Sequence, residues 1–186
     1  EIYSYTDPND TSTWTLETVI MPDGYTIDYD AKGRMVKETV PGSYTVDYEY
    51  YDLTPIVQRK IYTDLSTGEV ITYEYDPLSR LKKEIHEDTI ITLRYYRQTT
   101  NVRRVIGVSA SDPTSELFRI EYRRDGTLSE KIEPGKVTTY DILGRIKYWR
   151  IEGVSETFVS YQGETDKLAK KIFVDLVTGN SVIYIF

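Results

Sequence analysis

The chain has 186 residues, a formal net charge of −7 at neutral pH and no cysteine. The negative charge disfavours nucleic acid and anionic lipid as partners, the lack of cysteine excludes disulfides and thiol chemistry, and no apolar run approaches the roughly 18 residues of a membrane-spanning helix. The 18 tyrosines, against 4 phenylalanines and 2 tryptophans, favour strands whose side chains lie at a wet boundary.

The chain begins at Glu1 rather than at methionine. This start fits either a trimmed fragment or a mature secreted chain whose signal peptide was removed. In the first segment, Ile2, Tyr3 and Tyr5 indicate an edge strand without a cap. A loop with hard oxygen ligands follows at Asp7, Asn9 and Asp10. Calcium binding is one interpretation of this loop, and a turn rich in Asp and Asn is the simpler one.

A short motif then recurs along the chain. It reads Tyr-Asp, two variable residues, Gly or Ser, Arg and an aliphatic residue, at Tyr29–Met35, Tyr75–Leu81 and Tyr140–Ile146. A fourth stretch, Tyr122–Leu128, keeps the tyrosine, the glycine and the aliphatic residue. Weaker copies begin at Tyr51, Tyr96 and Tyr161, and the anchors recur about every 22 residues, a length typical of one supersecondary unit in an array.

The residues around each motif predict strand, tight turn, strand. Before the first motif, Tyr25, Ile27 and Tyr29 alternate with polar residues, and a period of two indicates a strand. After the second motif, Leu81 and Ile85 lie four residues apart, in a segment of about eight residues that is too short for a stable helix.

The pattern as a whole predicts an all-β fold. We expect tandem antiparallel β-hairpin repeats with about 17 strands in one long sheet, which must coil or wrap because strands twist. Residues 1–186 form a single β-repeat domain in this interpretation, with about eight hairpin units and a final half unit. Near-identical segments at residues 63–69 and 174–180 predict turns between units.

Catalytic chemistry has little support in the sequence. The one histidine, His86, has charged neighbours and is interpreted as an exposed strand residue. One histidine without cysteine makes a zinc site improbable. The carboxylate pairs Glu74 with Asp76 and Asp28 with Asp30 are interpreted as solvated strand faces. We therefore predict no enzyme activity, no cofactor and no metal.

Three aromatic side chains are candidates for stacking on a ligand. Tyr51, Tyr96 and Trp149 occupy the alternate strand register, so they could face outward and stack on sugars. A tyrosine-rich surface would equally suit a protein–protein interface.

The last segment, SVIYIF, has no charge, no proline and no glycine. Its apolar residues Val182, Ile183, Tyr184, Ile185 and Phe186 form the first strand of a further unit, and such a strand associates unless something covers it. The hypothesis is that this strand pairs with the first strand of a neighbouring subunit, which would build a filament or tube. The alternative is that the chain was cut from a longer array.

The repeated YD-x-x-GR-aliphatic core at Tyr29, Tyr75 and Tyr140 resembles the YD-repeat, or Rhs-type, family. The resemblance implies a secreted or surface protein whose strand–turn–strand units spiral into a long sheet, in some members a hollow shell. No autocleavage segment or C-terminal toxin domain is recognisable. We therefore expect an extracellular or cell-surface structural protein that self-assembles through its edge strands. The alternatives are an adhesin module for carbohydrate or a receptor, and a fragment of a larger Rhs-type toxin or adhesin shell.

Overall fold

The computed structural model describes residues 2–5 and 16–186. These residues contain 17 strands in an antiparallel sheet and no helix, so the predicted all-β fold of tandem hairpins is confirmed. Within the same residues, no helix has the length and hydrophobicity that a membrane crossing requires.

The chain divides into two compact units, Glu1–Ile90 and Ile91–Phe186. The first unit contains β1 (Ile2–Tyr5), β2 (Leu16–Ile20), β3 (Thr26–Tyr29), β4 (Met35–Val40), β5 (Tyr44–Tyr50), β6 (Val57–Asp64), β7 (Val70–Tyr75) and β8 (Leu81–Ile85). β9 (Thr89–Tyr95) contains the boundary. The second unit contains β10 (Val102–Ser109), β11 (Glu116–Tyr122), β12 (Leu128–Glu133), β13 (Lys136–Tyr140), β14 (Ile146–Ile151), β15 (Ser155–Tyr161), β16 (Leu168–Asp175) and β17 (Ser181–Ile185).

Each unit is a run of hairpins. In the first unit, each strand from β1 to β7 pairs antiparallel with the next strand along the chain. In the second unit, each strand from β10 to β16 does the same. The predicted strand–turn–strand unit is therefore confirmed in both.

The anchor tyrosines lie at irregularities of the strand pairing. The register shifts by one residue immediately before Tyr29, Tyr75 and Tyr140, each of which then pairs with the aliphatic residue six positions later. The constant spacing in the motif therefore reflects a cross-strand pair that flanks a turn. Such a bulge bends a strand and increases its twist.

Few side chains are fully buried. Among the described residues, the buried apolar side chains are Val19 and Val46, and the buried polar residues are Thr72, Thr138, Ser155 and Thr157. Most tyrosines of the described residues are half-buried. The excess of tyrosine over phenylalanine fits these half-wet positions.

Candidate functional site

Each full copy of the motif folds into a turn that its aspartate organises. In the first copy, Asp30 Oδ1 accepts hydrogen bonds from the backbone N–H of Lys32 at 2.9 Å and of Arg34 at 3.0 Å. Asp30 Oδ2 accepts a bond from Arg34 Nε at 2.8 Å and lies 2.7 Å from Arg34 Nη2. The side-chain bond from Arg34 is the main cause that lowers the pKa of Asp30 to about 2.

The other two full copies repeat this Asp–Arg turn. Asp76 Oδ2 lies 2.8 Å from Arg80 Nε and 2.6 Å from Arg80 Nη2. Asp141 Oδ2 lies 2.7 Å from both Nε and Nη2 of Arg145. Burial acts to raise the pKa of Asp76 and Asp141, but the bonds from the arginines and the backbone outweigh it and lower the pKa of both.

Arg34 also connects its turn to the next loop on the same edge of the first unit. Its Nη1 donates to the backbone carbonyl oxygens of Asp52 at 2.9 Å and Thr54 at 2.7 Å. Its guanidinium carbon lies 4.5 Å from the centre of the Tyr50 ring, within the range of a cation–π contact. The arginine of the motif therefore binds a carboxylate, two carbonyls and a ring, which its planar guanidinium can do at once.

Arg145 makes the equivalent contacts in the second unit. Its Nη1 donates to the carbonyl oxygens of Gly163, at 3.2 Å, and of Thr165. Its guanidinium carbon lies 4.3 Å from the centre of the Tyr161 ring. In these two copies, the arginine therefore connects its own turn to the next loop.

The loop that receives Arg34, residues 51–56, is a second kind of turn. Thr54 Oγ1 donates to the Tyr51 carbonyl at 2.7 Å and accepts from the Ile56 N–H at 3.2 Å. The same pattern forms around Thr99 in residues 96–101 and around Thr165 in residues 162–167. The tyrosine spacing in the sequence does not distinguish these threonine loops from the Asp–Arg turns. A threonine in the fourth position of each loop is the signal that could have separated them.

The anchors predicted at Tyr51 and Tyr96 are wrong by one residue. Val57 pairs with Tyr50 rather than Tyr51, and β9 ends at Tyr95, before Tyr96. The threonine loops are one residue longer than the Asp–Arg turns, so a fixed spacing of six selects the wrong tyrosine.

Tyr51 and Tyr96, two of the candidate stacking residues, are anchored through their hydroxyls. Tyr51 donates to the Tyr75 carbonyl at 2.5 Å, and Tyr96 donates to the Tyr122 carbonyl at 2.8 Å. Each hydroxyl thus binds the backbone where the next motif begins. Both rings are half-buried, so their first role is to join neighbouring turns.

Trp149, the third candidate, lies on β14 between Thr138 and Thr157, which are both buried. Lys171 Nζ lies 5.6 Å from the centre of the indole ring. In the second unit, three strands separate β14 from β10, the strand that follows Tyr96, so Trp149 and Tyr96 do not belong to neighbouring strands.

A carboxylate organises further tyrosines in the first unit. Glu38 accepts hydrogen bonds from the hydroxyls of Tyr44 at 2.8 Å and Tyr48 at 3.1 Å. The bond to Glu38 raises the pKa of Tyr44, and burial, with Glu38 adding to it, raises the pKa of Tyr48. Both hydroxyls act as donors to the carboxylate, which is a structural use of the tyrosine.

His86 lies directly after β8 and is half-buried, so its interpretation as an exposed strand residue is wrong. Its Nε2 is 2.7 Å from Glu84 Oε1, and its Nδ1 is 3.9 Å from Glu69 Oε1. His86 is therefore held beside two carboxylates.

The candidate carboxylate pairs have partners within the fold. Asp30 and Asp76 bind the arginines of their turns, and Asp28 accepts a bond from Thr18 Oγ1 at 2.8 Å. Glu74 lies opposite Arg59 and Lys83 on the neighbouring strands. Across residues 2–5 and 16–186, no group of three or more His, Asp or Glu side chains is placed to hold a metal ion. Asp7, Asn9 and Asp10 lie outside the described residues.

The predicted edge residues lie on β1 and β17. Ile2 and Tyr3 are exposed on β1, and Tyr5 ends that strand. Every residue of β17 is exposed, as is Phe186 directly after it, and Ile185 is the most exposed, at 82 %. β17 is therefore exposed along its whole length, as are Ile2, Tyr3 and Ser4 of β1.

No protein-family model matches the chain. No curated protein matches it either. Among solved structures, the chain is similar to part of "Crystal Structure of TcdB2-TccC3", with 13 % identity and a TM-score of 0.40, over 95 % of this chain and 12 % of that chain. The corresponding match to "Crystal Structure of TcdB2-TccC3-Cdc42" has 16 % identity and a TM-score of 0.40, over 97 % and 10 %.

A porin-like protein from Bacteroides uniformis is also similar, with 13 % identity and a TM-score of 0.35, over 86 % of this chain and 85 % of that chain. This chain spans about a tenth of the length of the two TcdB2–TccC3 chains. Similarity at these identities and TM-scores does not assign the chain to a family.

Proposed function

We propose that the chain is a non-enzymatic structural protein of the YD-repeat type, located outside the cell or at the cell surface, that associates with itself through an edge strand. The observation that carries the proposal is β17. It is uncharged, largely apolar and exposed along its length, and an edge with these properties pairs with further strands.

The polar side chains of the repeat support the structural role. The Asp–Arg turns, the threonine loops and the tyrosine hydroxyls all bind groups inside the fold. A reaction or a ligand would need polar groups that point into a shared cleft. The carbohydrate-binding alternative has less support, because Tyr51 and Tyr96 bind backbone carbonyls and Lys171 lies over Trp149.

The finer form of the proposal concerns the product of association. Pairing of β17 with β1 of a neighbouring subunit would continue one sheet from chain to chain and build a filament, tube or surface layer, because a head-to-tail contact stays open unless its rotation closes it. The partner is a second copy of the chain, without nucleic acid or membrane insertion.

Removal of Ser181–Phe186 tests the association. We expect the mass of the intact chain, measured by sedimentation over a wide concentration range, to rise with concentration, and the shortened chain to remain monomeric. The shortened chain ends on β16, whose Lys170 and Lys171 make a poor pairing edge.

A point variant with a matched control guards against an effect of the deletion on folding. Ile183→Lys places a charge on the exposed edge strand and should abolish association. Val177→Lys adds the same charge in the turn before β17, at a side chain that is 77 % exposed, and should associate like the wild type. A mass that is the same for the intact and the shortened chain at every concentration would defeat the proposal.

A further inference from the structure

Two backbone hydrogen bonds identify which residues of β17 point their backbone N–H and C=O groups towards β16. The Phe186 N–H donates to the Ala169 carbonyl at 3.1 Å, and the Asp175 N–H donates to the Asn180 carbonyl at 2.8 Å. In an antiparallel pair the hydrogen-bonded positions alternate along each strand. Since Asn180 and Phe186 bond towards β16, the even-numbered residues between them do so as well.

The odd-numbered residues of β17 therefore direct their backbone groups to the other edge. Ser181, Ile183 and Ile185 each present one N–H donor and one C=O acceptor there. Within the described part of the chain, the strand that pairs with β17 is β16. The outer edge of β17 is thus a short row of alternating donors and acceptors beside exposed apolar side chains.

We infer that β17 pairs antiparallel with β17 of a second copy, about a twofold axis at Ile183. This inference rests on the proposed function, in which β17 is the associating edge. In this register Ile183 lies opposite Ile183 of the second copy, and Ser181 lies opposite Ile185 in both directions. Each is a hydrogen-bonded pair that exchanges two bonds, and a slip by two residues would lose one of the three pairs.

The side chains are compatible with this symmetry. A twofold axis perpendicular to the sheet keeps each face on its own side, so Val182 of one copy lies beside Tyr184 of the other. Both belong to the face that carries Trp149, because β17 continues the register of β14, β15 and β16. No charged side chain of β17 meets its own copy across the axis, and like charges opposite each other would be unfavourable.

The contact is small. A strand of five residues is about 17 Å long, and one edge contact of that length falls below the roughly 1,200 Å² of a stable interface. The dimer should therefore be weak and form as the protein concentration rises. Because the axis is twofold, association through β17 stops at two copies. This pairing would take the place of the β17–β1 contact of a head-to-tail filament, because the outer edge of β17 has room for one partner strand.

Single-cysteine variants test the geometry cleanly, since the chain has no cysteine of its own. Ile183→Cys should form a disulfide-linked dimer under mild oxidation, because the twofold axis brings the two sulfurs together at a separation that a disulfide can span. Val177→Cys, in the exposed turn before β17, is the control for random collision and should form far less dimer.

The register has its own test. Val182→Cys and Tyr184→Cys should cross-link in an equimolar mixture, and each should cross-link poorly alone.

If sedimentation shows association that depends on β17, but Ile183→Cys yields no more dimer than Val177→Cys, the twofold pairing is wrong and the proposed function stands. Efficient cross-linking of Ile183→Cys to Tyr3→Cys in a mixture would also overturn it, in favour of head-to-tail pairing. Absence of any association would defeat both proposals.

Discussion

A serine occupies the left-handed position of one Asp–Arg turn. Gly33 has φ 71° and Gly144 has φ 79° in their turns, whereas the second copy places Ser79 at φ 60°. A residue with a Cβ pays about 1–2 kcal/mol in this conformation, and glycine avoids that cost. The hydrogen bond from the Ser79 N–H to the Asp76 carbonyl, at 2.9 Å, holds the serine there.

Ser79→Gly should therefore stabilise the protein, and Gly33→Ser should destabilise it. We expect a change of about 0.5–1 kcal/mol in the free energy of unfolding in each direction, since the greater freedom of glycine in the unfolded chain offsets part of the gain. A Cβ at Gly33 would meet no atom within 4 Å, so the effect of the substitution is mainly conformational. Chemical denaturation measures both. A loss of stability in Ser79→Gly would contradict the explanation.

At the scale of the element, the Asp–Arg turn makes stability depend on acid. Asp30 has its pKa lowered from 3.8 to about 2, chiefly by the hydrogen bond from Arg34. The unfolded chain therefore binds a proton at a higher pH than the folded chain. The stability that this carboxylate contributes is complete above its unfolded pKa and is lost as the pH falls through the folded pKa.

Asp30→Asn tests this dependence. Denaturation midpoints measured between pH 6 and pH 2 should fall less steeply for the variant than for the wild type. Arg34→Gln removes the main cause of the shift, so its loss of stability relative to the wild type should be larger at pH 6 than at pH 2, with a part that remains at pH 2 because Arg34 also binds two carbonyls and the Tyr50 ring. Parallel curves for the wild type and both variants would show that the turn does not carry the acid dependence.

The elements also show what a sequence can predict. The Asp–Arg turns were predictable, because Asp and Arg have fixed positions in a turn closed by a left-handed residue. The alternation with threonine loops was missed, because one threonine hydroxyl carries each of those loops and threonine is common in strands. The stacking roles of Tyr51 and Tyr96 rested on strand parity. That parity does not apply in a loop, where the hydroxyl reaches the next turn.

At the scale of the molecule, each unit is a chain of nearest neighbours. Within β1–β8 and within β10–β17, the described strands contact the strands that adjoin them in sequence. Stability in such an array is a sum of local units and the interfaces between them. The tyrosine hydroxyls and motif arginines extend this coupling by one further hairpin, as Arg34 does from the turn before β4 to the loop after β5.

A local defect should therefore have local effects, and Gly107 is a suitable place for one. Gly107 on β10 is buried and lies opposite Phe118 on β11, and a methyl group at Gly107 would overlap the Phe118 ring. Gly107→Ala should cost about 1–3 kcal/mol through overpacking. In hydrogen exchange, the amides of β10, β11 and β12 should exchange faster than in the wild type, while those of β15 and β16 change little. When Gly107→Ala is made in a protein that already carries Phe118→Ala, it should have no such effect. A uniform rise from β10 to β17 would instead mean that the unit unfolds as one cooperative body.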